Sequence, residues 1–430
     1  MSARDVAAVL ATALPVTVLT WERSAGLVGL AWLVFCLTQW RTIAAQAGMA
    51  RAALRNSAAL GFAAFAGIVA VLSLLHGIPS RAFDNPSRFA LVLPILVTIA
   101  CLRPTCRGWL TGVSAAGVYV GVLALIQCLA LGAEAAGGFT NQNKFGFISA
   151  TLALIGVASL RLPAGVRPPR WLIVAGVAGA LTAMILSATR GAWVAFLVPL
   201  LGWLLFTRVI TPARKAVAIS CVLAIAAGMT LTTGSVVHTR LSAMVSDLGS
   251  YMPGVVESSV DTRVELWRGA AMMFEAHPFV GIGPGRYRDA NRELIAAGRV
   301  SPQIAEHGHP HNEYLAWLAN GGVVGFAGLL AALLGPLAYF VRRVHDPVVP
   351  LAFDEAFDAP GSGTRASVAV WPPPSPSLVR GLGLGGALFV SATMIFAFTD
   401  AYFYIHYATV YYALTVALLV GFIEAERTRR

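Results

Sequence analysis

Twelve apolar runs, each near the length that crosses a bilayer, leave this chain of 430 residues few folds to choose from. They lie at about 5–20, 24–40, 58–75, 88–102, 108–133, 145–160, 171–189, 191–207, 215–234, 312–341, 379–399 and 404–423. A helix needs about 20 apolar residues to span the hydrocarbon core. Lipid cannot satisfy backbone N–H and C=O groups, so such runs must bond internally as helices. The expected fold is an all-α polytopic membrane protein with about 12 transmembrane helices and one large, partly helical outer loop. Only 12% of residues are charged, about half the share usual in soluble domains.

The formal net charge of +11 follows from orientation and does not call for nucleic acid. With the N-terminus inside, 19 of the 31 Lys/Arg fall in inner segments, 5 in short outer connections and 7 in one long outer loop. This is the positive-inside pattern. It predicts both termini in the cytoplasm and the long loop on the periplasmic side of a bacterial inner membrane. The chain divides into nine spans over 1–234, a polar loop over 235–311 and a tenth span over 312–341. A cytoplasmic linker over 342–378 and two final spans with a tail over 379–430 complete it. Gly361-Ser362-Gly363 and Trp371-Pro372-Pro373-Pro374-Ser375-Pro376 mark the linker as extended chain. The first run carries only Arg4 before it and no small-residue cleavage site after it, so it is expected to be a retained span. None of the five cysteines lies in the loop, and no zinc-type spacing occurs. No phosphate-binding or dinucleotide motif is present, so no nucleotide is expected.

The loop holds five of the eight histidines. Its apolar positions Val260, Val264, Trp267, Ala271 and Phe274 recur at helical spacing. They predict a helix of about four turns that starts near Ser258 and ends at His277-Pro278. Gly281-Ile282-Gly283-Pro284-Gly285-Arg286-Tyr287 reads as a tight turn, followed by a short helix over about 288–297. His307, His309 and His311 alternate with Gly308 and Pro310. In extended chain they would share one side, which leaves three readings open. They are a zinc site, a source of one basic imidazole oriented by Asn312 and Glu313, or a cap on the next helix.

Outside the loop, Arg190 sits in the short turn Ser187-Ala188-Thr189-Arg190-Gly191-Ala192-Trp193. There it either snorkels to the headgroups or binds phosphate with its planar guanidinium. Lys144 poses the same choice. Tyr402, Phe403, Tyr404, His406, Tyr407, Tyr411 and Tyr412 read as an interfacial aromatic belt, with stacking on sugar rings as the alternative. The pairs Gly321/Gly325 and Gly381/Gly385 permit close helix packing.

Three pieces together resemble the bacterial O-antigen ligase family (WaaL), within the O-antigen ligase/polymerase superfamily. They are Thr189-Arg190-Gly191; Arg263-x-x-x-Trp267 leading through Phe274 and His277-Pro278 to Gly281-x-Gly283-x-Gly285-x-Tyr287; and His311-Asn312 followed by Gly322-x-x-Gly325. The resemblance implies a GT-C-like membrane glycosyltransferase. It would join an undecaprenyl-diphosphate-linked glycan to lipid A–core without metal, cofactor or nucleotide, and would invert the anomeric carbon. In that reading His311 is the general base, and Arg190 and Arg263 face the leaving diphosphate. Lys144, Arg268, Tyr287, Arg286, Arg288 and His309 contact substrate. An O-antigen polymerase of the same superfamily and a lipid-linked glycan transporter are the alternatives; the single large outer loop favours the ligase.

Overall fold

The computed structural model describes residues 1–77, 83–207, 211–213, 215–216, 219–220, 259–346 and 376–427. The expected span at 215–234, the start of the polar loop and most of the 342–378 linker therefore lie outside the described residues, apart from a few positions.

The other eleven apolar runs each coincide with helix. These are α1 (Ala3–Thr17), α2 (Ser24–Thr38), α3 (Ser57–Leu75), α4 (Asp84–Leu102), α5 (Arg107–Ala130), α6 (Gln142–Ser159), α7 (Arg170–Leu186) and α8 (Arg190–Phe206). The loop contributes α9 (Ser259–Ala276) and α10 (Tyr287–Ala296). Then follow α11 (Glu313–Val344), α12 (Pro376–Phe396) and α13 (His406–Arg427). Among the described residues there is no strand. Six helices, namely α3, α4, α5, α11, α12 and α13, are long and apolar enough to cross a membrane, and α2, α7 and α8 are shorter apolar helices. The protein is a multi-pass membrane protein.

Lipid exerts no hydrophobic pull between helices, so close packing of small residues must do that work. The α5–α7 contact shows it. A Cβ on Gly121 would lie 2.5 Å from the Gly179 Cα, and one on Gly176 would lie 2.5 Å from the Ser114 carbonyl oxygen. Leu27, Leu30, Val34, Leu74, Leu75, Trp171, Val198 and Phe206 are exposed and face outward, as lipid-facing residues do. By contrast, the apolar window of α13 is wholly buried, as expected of a helix apolar on all sides. This overturns the expectation of an aromatic belt. Tyr402, Tyr411 and Tyr412 are core residues, and only Tyr404, at 52% exposed, stands out. Tyr411 and Tyr412 lie on α13, which is surrounded by other helices, and Tyr402 lies in the short turn before it.

The most consequential irregularity is in α11. Gly322 interrupts the helix with φ 59° and ψ −157°, a conformation open to glycine and costly for other residues. Four backbone groups freed by the break are taken up by the 278–283 loop. The N–H groups of Ile282 and Gly283 donate to the carbonyls of Ala319 and Asn320, both at 3.0 Å, while Val323 N donates to Pro278 O at 2.8 Å and Val324 N to Phe279 O at 3.2 Å. The glycine-rich turn is thus a plug that completes a broken helix. It fixes the loop's helices on the bundle. His76, at the end of α3, adds a contact from its Nε2 to the Gly281 carbonyl oxygen at 3.1 Å.

A Cβ on Gly322 would lie 2.5 Å from the Phe279 carbonyl oxygen. Gly322→Ala should therefore lower stability by about 2–4 kcal/mol, combining backbone strain with lost hydrogen bonds. Thermal unfolding in detergent reads the change. Early proteolysis in 278–311 should accompany it, and wild-type resistance there would count against the plug.

Candidate functional site

The site forms where the start of α11 meets the turn between α12 and α13. Asn312 caps α11, its Oδ1 accepting from the Tyr314 and Leu315 N–H groups at 3.0 and 3.1 Å. Glu313 is buried and cross-links the two segments. Its N–H donates to the Ala397 carbonyl at 2.8 Å, and its two carboxylate oxygens accept from Trp317 Nε1 and Phe403 N, each at 2.8 Å. Trp267 of α9 donates from Nε1 to the Pro310 carbonyl at 2.9 Å, seating the loop helix against the histidine run.

Within this frame, His311 adopts φ 49°. The left-handed conformation costs about 1–2 kcal/mol for a residue with a Cβ and persists where surrounding contacts over-determine it. The three histidines do come together, through a folded turn and not an extended strand. Ring centroids are 4.4 Å apart for His309 and His311, and 5.8 Å for His307 and His311. His311 N donates to His309 Nδ1 at 3.2 Å, and the His309 ring packs on Tyr404 at 4.7 Å. Burial pushes His309 down to about 3, and the neighbouring His311 charge adds to the effect. His309 is therefore neutral near pH 7.

The partner of His311 is Asp400, with Nδ1 and Oδ1 3.4 Å apart. Asn312 and Glu313, the expected orienting groups, are committed elsewhere. The other Asp400 oxygen meets Lys144 in a salt bridge that is almost wholly buried on both sides. Burial raises the Asp400 carboxyl, but the His311 hydrogen bond and the Lys144 charge outweigh it and hold the group well below the usual carboxylate range. Asp400 is thus a permanent anion that favours the Nδ1–H form of His311 and leaves Nε2 as the basic nitrogen. Asp400 was not among the residues expected from sequence. Its one signal was being the only acidic residue in 379–423, a lone carboxylate in apolar surroundings.

The remaining residues sort by what holds them. Arg190 is the exposed first residue of α8. Its neighbour Gly191 abuts Thr399, where a Cβ would lie 2.5 Å from Oγ1, so the α8 N-terminus adjoins the Asp400 turn. Arg263 is exposed on α9, one turn before Trp267. Arg268 donates to Glu265 at 3.1 Å, whose second oxygen accepts from Ser301 N at 2.8 Å. Tyr287 is buried in a small core with Leu266, Met273 and Ile304, its hydroxyl donating to the Leu266 carbonyl at 2.8 Å. Arg286 and Arg288 are exposed and reach the carbonyls of His76 and Glu306, each at 3.3 Å. A cavity of about 700 Å³ opens beside the histidines, lined among others by His309, Tyr404, Trp317, Asn320 and Arg286.

His309, His311 and Asp400 offer ligand atoms within 4.8 Å of one another. Their chemistry would suit a transition metal. The Lys144 ammonium already neutralises Asp400, and a second cation there would face it at close range.

Residues 172–330 match the family described as O-antigen ligase. That stretch contains Arg190, Arg263, His311 and the helix break at Gly322. Over that stretch the chain is similar to the O-antigen ligase family. Lys144 and Asp400 lie outside the matched stretch on either side of it, yet the fold carries both to His311. The chain is also similar to an uncharacterized protein of Haemophilus influenzae, 25% identical over 272 residues, which cover 62% of this chain and 67% of that one. The match over 172–330 supports a relation to the O-antigen ligase/polymerase superfamily.

Two stability experiments probe this constellation. Lys144→Met leaves Asp400 buried without its ammonium and should cost about 3–5 kcal/mol; Lys144→Met with Asp400→Asn should regain most of that in thermal unfolding. His309, with its folded-state value depressed, contributes stability above the unfolded imidazole range that is lost as pH falls toward about 3. Acidification from pH 7 to 4 should therefore destabilise wild type more than His309→Gln. Equal slopes for the two would contradict the burial of a neutral His309.

Proposed function

We propose that the protein is an O-antigen ligase. It transfers glycan from undecaprenyl diphosphate to a terminal sugar of lipid A–core at the periplasmic face of a bacterial inner membrane. In this reading the fold is GT-C-like with about 12 spans, both termini are cytoplasmic, and 235–311 forms the periplasmic catalytic loop. The observation that carries the proposal is the His311–Asp400–Lys144 arrangement beside the Arg190-bearing end of α8, in a chain whose residues 172–330 match the O-antigen ligase family.

The chemistry follows from that arrangement. A hydroxyl of the acceptor sugar gives its proton to Nε2 of His311 as its oxygen attacks the anomeric carbon of the donor. The bond from that carbon to the diphosphate oxygen breaks, and the configuration inverts. Asp400 holds the imidazole through Nδ1–H and stabilises the imidazolium that forms. The departing undecaprenyl diphosphate carries the negative charge, which Arg190 and Arg263 meet with guanidinium N–H groups. The donor's diphosphate linkage already supplies the driving force, so no nucleotide takes part. Lys144, buried on Asp400, acts here as a positioning residue and not as a substrate contact. The exposed Arg286 and Arg288, with His309, remain candidates for substrate contact; Arg268 and Tyr287 serve mainly to shape the loop.

The test uses purified protein, undecaprenyl-diphosphate-linked glycan and lipid A–core, with chelator and without nucleotide. Wild type should yield glycosylated lipid A–core. His311→Ala and Arg190→Ala, inserted normally, should each lose at least about 100-fold in rate. Longer lipid-linked glycan in place of ligated product would identify a polymerase. Leaflet exchange of the donor with no new glycosidic bond would identify a transporter. Activity surviving in His311→Ala but lost in His309→Ala would move the base to His309.

A further inference from the structure

The turn that plugs the broken helix has an apolar outer side that the protein leaves uncovered. Phe279 is 72% exposed, and Val280 beside it is exposed too. Val323 and Val324, which donate their N–H groups to the turn, follow the break in α11, and both are exposed. Two segments distant in sequence therefore share one apolar face. Leu74 and Leu75 are exposed at the end of α3, whose His76 bonds to the Gly281 carbonyl, so the face runs on to the lipid-facing surface of the bundle. Its borders are polar: Glu275 and His277 precede it and Arg286 follows it, all exposed. An apolar patch with a polar rim marks contact with a membrane or with another protein.

Height decides between the two. The last turn of α11 carries Arg342 and Arg343, cations that stay at the headgroup level of a membrane. Gly322 to Val341 is 20 residues, a rise of about 30 Å, which is the thickness of the hydrocarbon core. The break at Gly322 therefore comes at the opposite boundary of the core, and any tilt of α11 draws it further in. Backbone outside a helix is costly at that depth unless the protein satisfies its polar groups. The turn meets this condition. The carbonyls of His277, Pro278, Phe279 and Gly281 and the N–H groups of Gly281, Ile282 and Gly283 are all bonded within the protein. In water, solvent would have served the same groups. Phenylalanine also lacks the polar tip that holds tyrosine or tryptophan at the headgroups.

We propose that the 278–283 turn is immersed in the bilayer, with Phe279 and Val280 among acyl chains at the membrane boundary opposite Arg342 and Arg343. The polar stretch to which the turn belongs is then not wholly in water. Its dip into lipid pins the end of α9 and the start of α10 at the headgroup level, with Arg286 on the rim. The proposal involves no substrate and stands apart from the ligase reading.

The experiment places the photoreactive residue p-benzoylphenylalanine at single positions of the full-length protein. The protein is held in nanodiscs of phosphatidylethanolamine and phosphatidylglycerol, irradiated, and its adducts are identified by mass spectrometry. Leu30→p-benzoylphenylalanine, on the outward face of α2, sets the yield for a lipid-facing position, and Arg299→p-benzoylphenylalanine, exposed after α10, sets it for the rest of the loop. Phe279→p-benzoylphenylalanine keeps an aromatic ring at an exposed position, so folding is expected to survive. Its lipid adduct should come within about twofold of the Leu30 variant and exceed the Arg299 variant at least about fivefold. Val280→p-benzoylphenylalanine should behave likewise and serves if the first variant fails to fold. Val324→p-benzoylphenylalanine reads the same face from α11. Lipid adduct at Val324 with none at Phe279 or Val280 would leave the turn above the lipid and overturn the proposal. So would an adduct from the turn to another stretch of this chain or to a second copy in place of lipid.

Discussion

The Lys144 ammonium against the Asp400 carboxylate is the interaction on which the site depends. Each charge alone would be prohibitively placed in the bundle; together, with His311 on the second oxygen, they are satisfied. The pair fixes the turn after α12, and that turn holds nearly everything else. Ala397 accepts from Glu313, Thr399 packs on Gly191, and Phe403 donates to Glu313. The Tyr404 carbonyl accepts from Asn85. Four distant stretches of chain thus meet at one short turn. That gives a histidine in a strained backbone conformation a surrounding stiff enough to keep it there.

The bundle was largely legible in the sequence because lipid imposes a simple rule on runs of apolar residues. The fourth run looked short, since its helix begins with the polar Asp84-Asn85-Pro86-Ser87-Arg88, which hydropathy alone discards. The loop helices were also legible, from the spacing of Val260, Val264 and Trp267 and from His277-Pro278 at the end. What escaped was pairing across long separations. Asp400 and Lys144 stand 256 residues apart, and neither announces the other. Gly281-x-Gly283 and Gly322 read as a turn and a helix, although the backbone groups of one complete the other. Tyr411 and Tyr412 were misjudged because composition cannot tell a helix at the membrane edge from one at the centre of a bundle.

The loop and the bundle are one structure more than two. Ala319 of α11 belongs to the small core built by Leu266, Tyr287 and Ile304, and the plug at Gly322 ties the same helix to the 278–283 turn. Residues that look chemically eligible are used to make this junction. Tyr287 fills its core, and Arg268 and Glu265 brace the chain at Ser301. The groups left facing open space, such as Arg263, Arg286 and Tyr404, are held on a rigid support, which is what the proposed transfer of bulky, flexible glycans would need.

The burial of α13 also bears on how the molecule is made. Every transmembrane helix packed around it precedes it in the chain, so during synthesis its neighbours reach the membrane before it does. They cannot close into their final arrangement while their centre is empty. The contacts that α13 makes at the centre of the bundle form only once it has been inserted. The Asp400 turn, the Glu313 bridge and the seat for His311 come into being only then, so assembly of the membrane domain and of its reactive centre is a single late event.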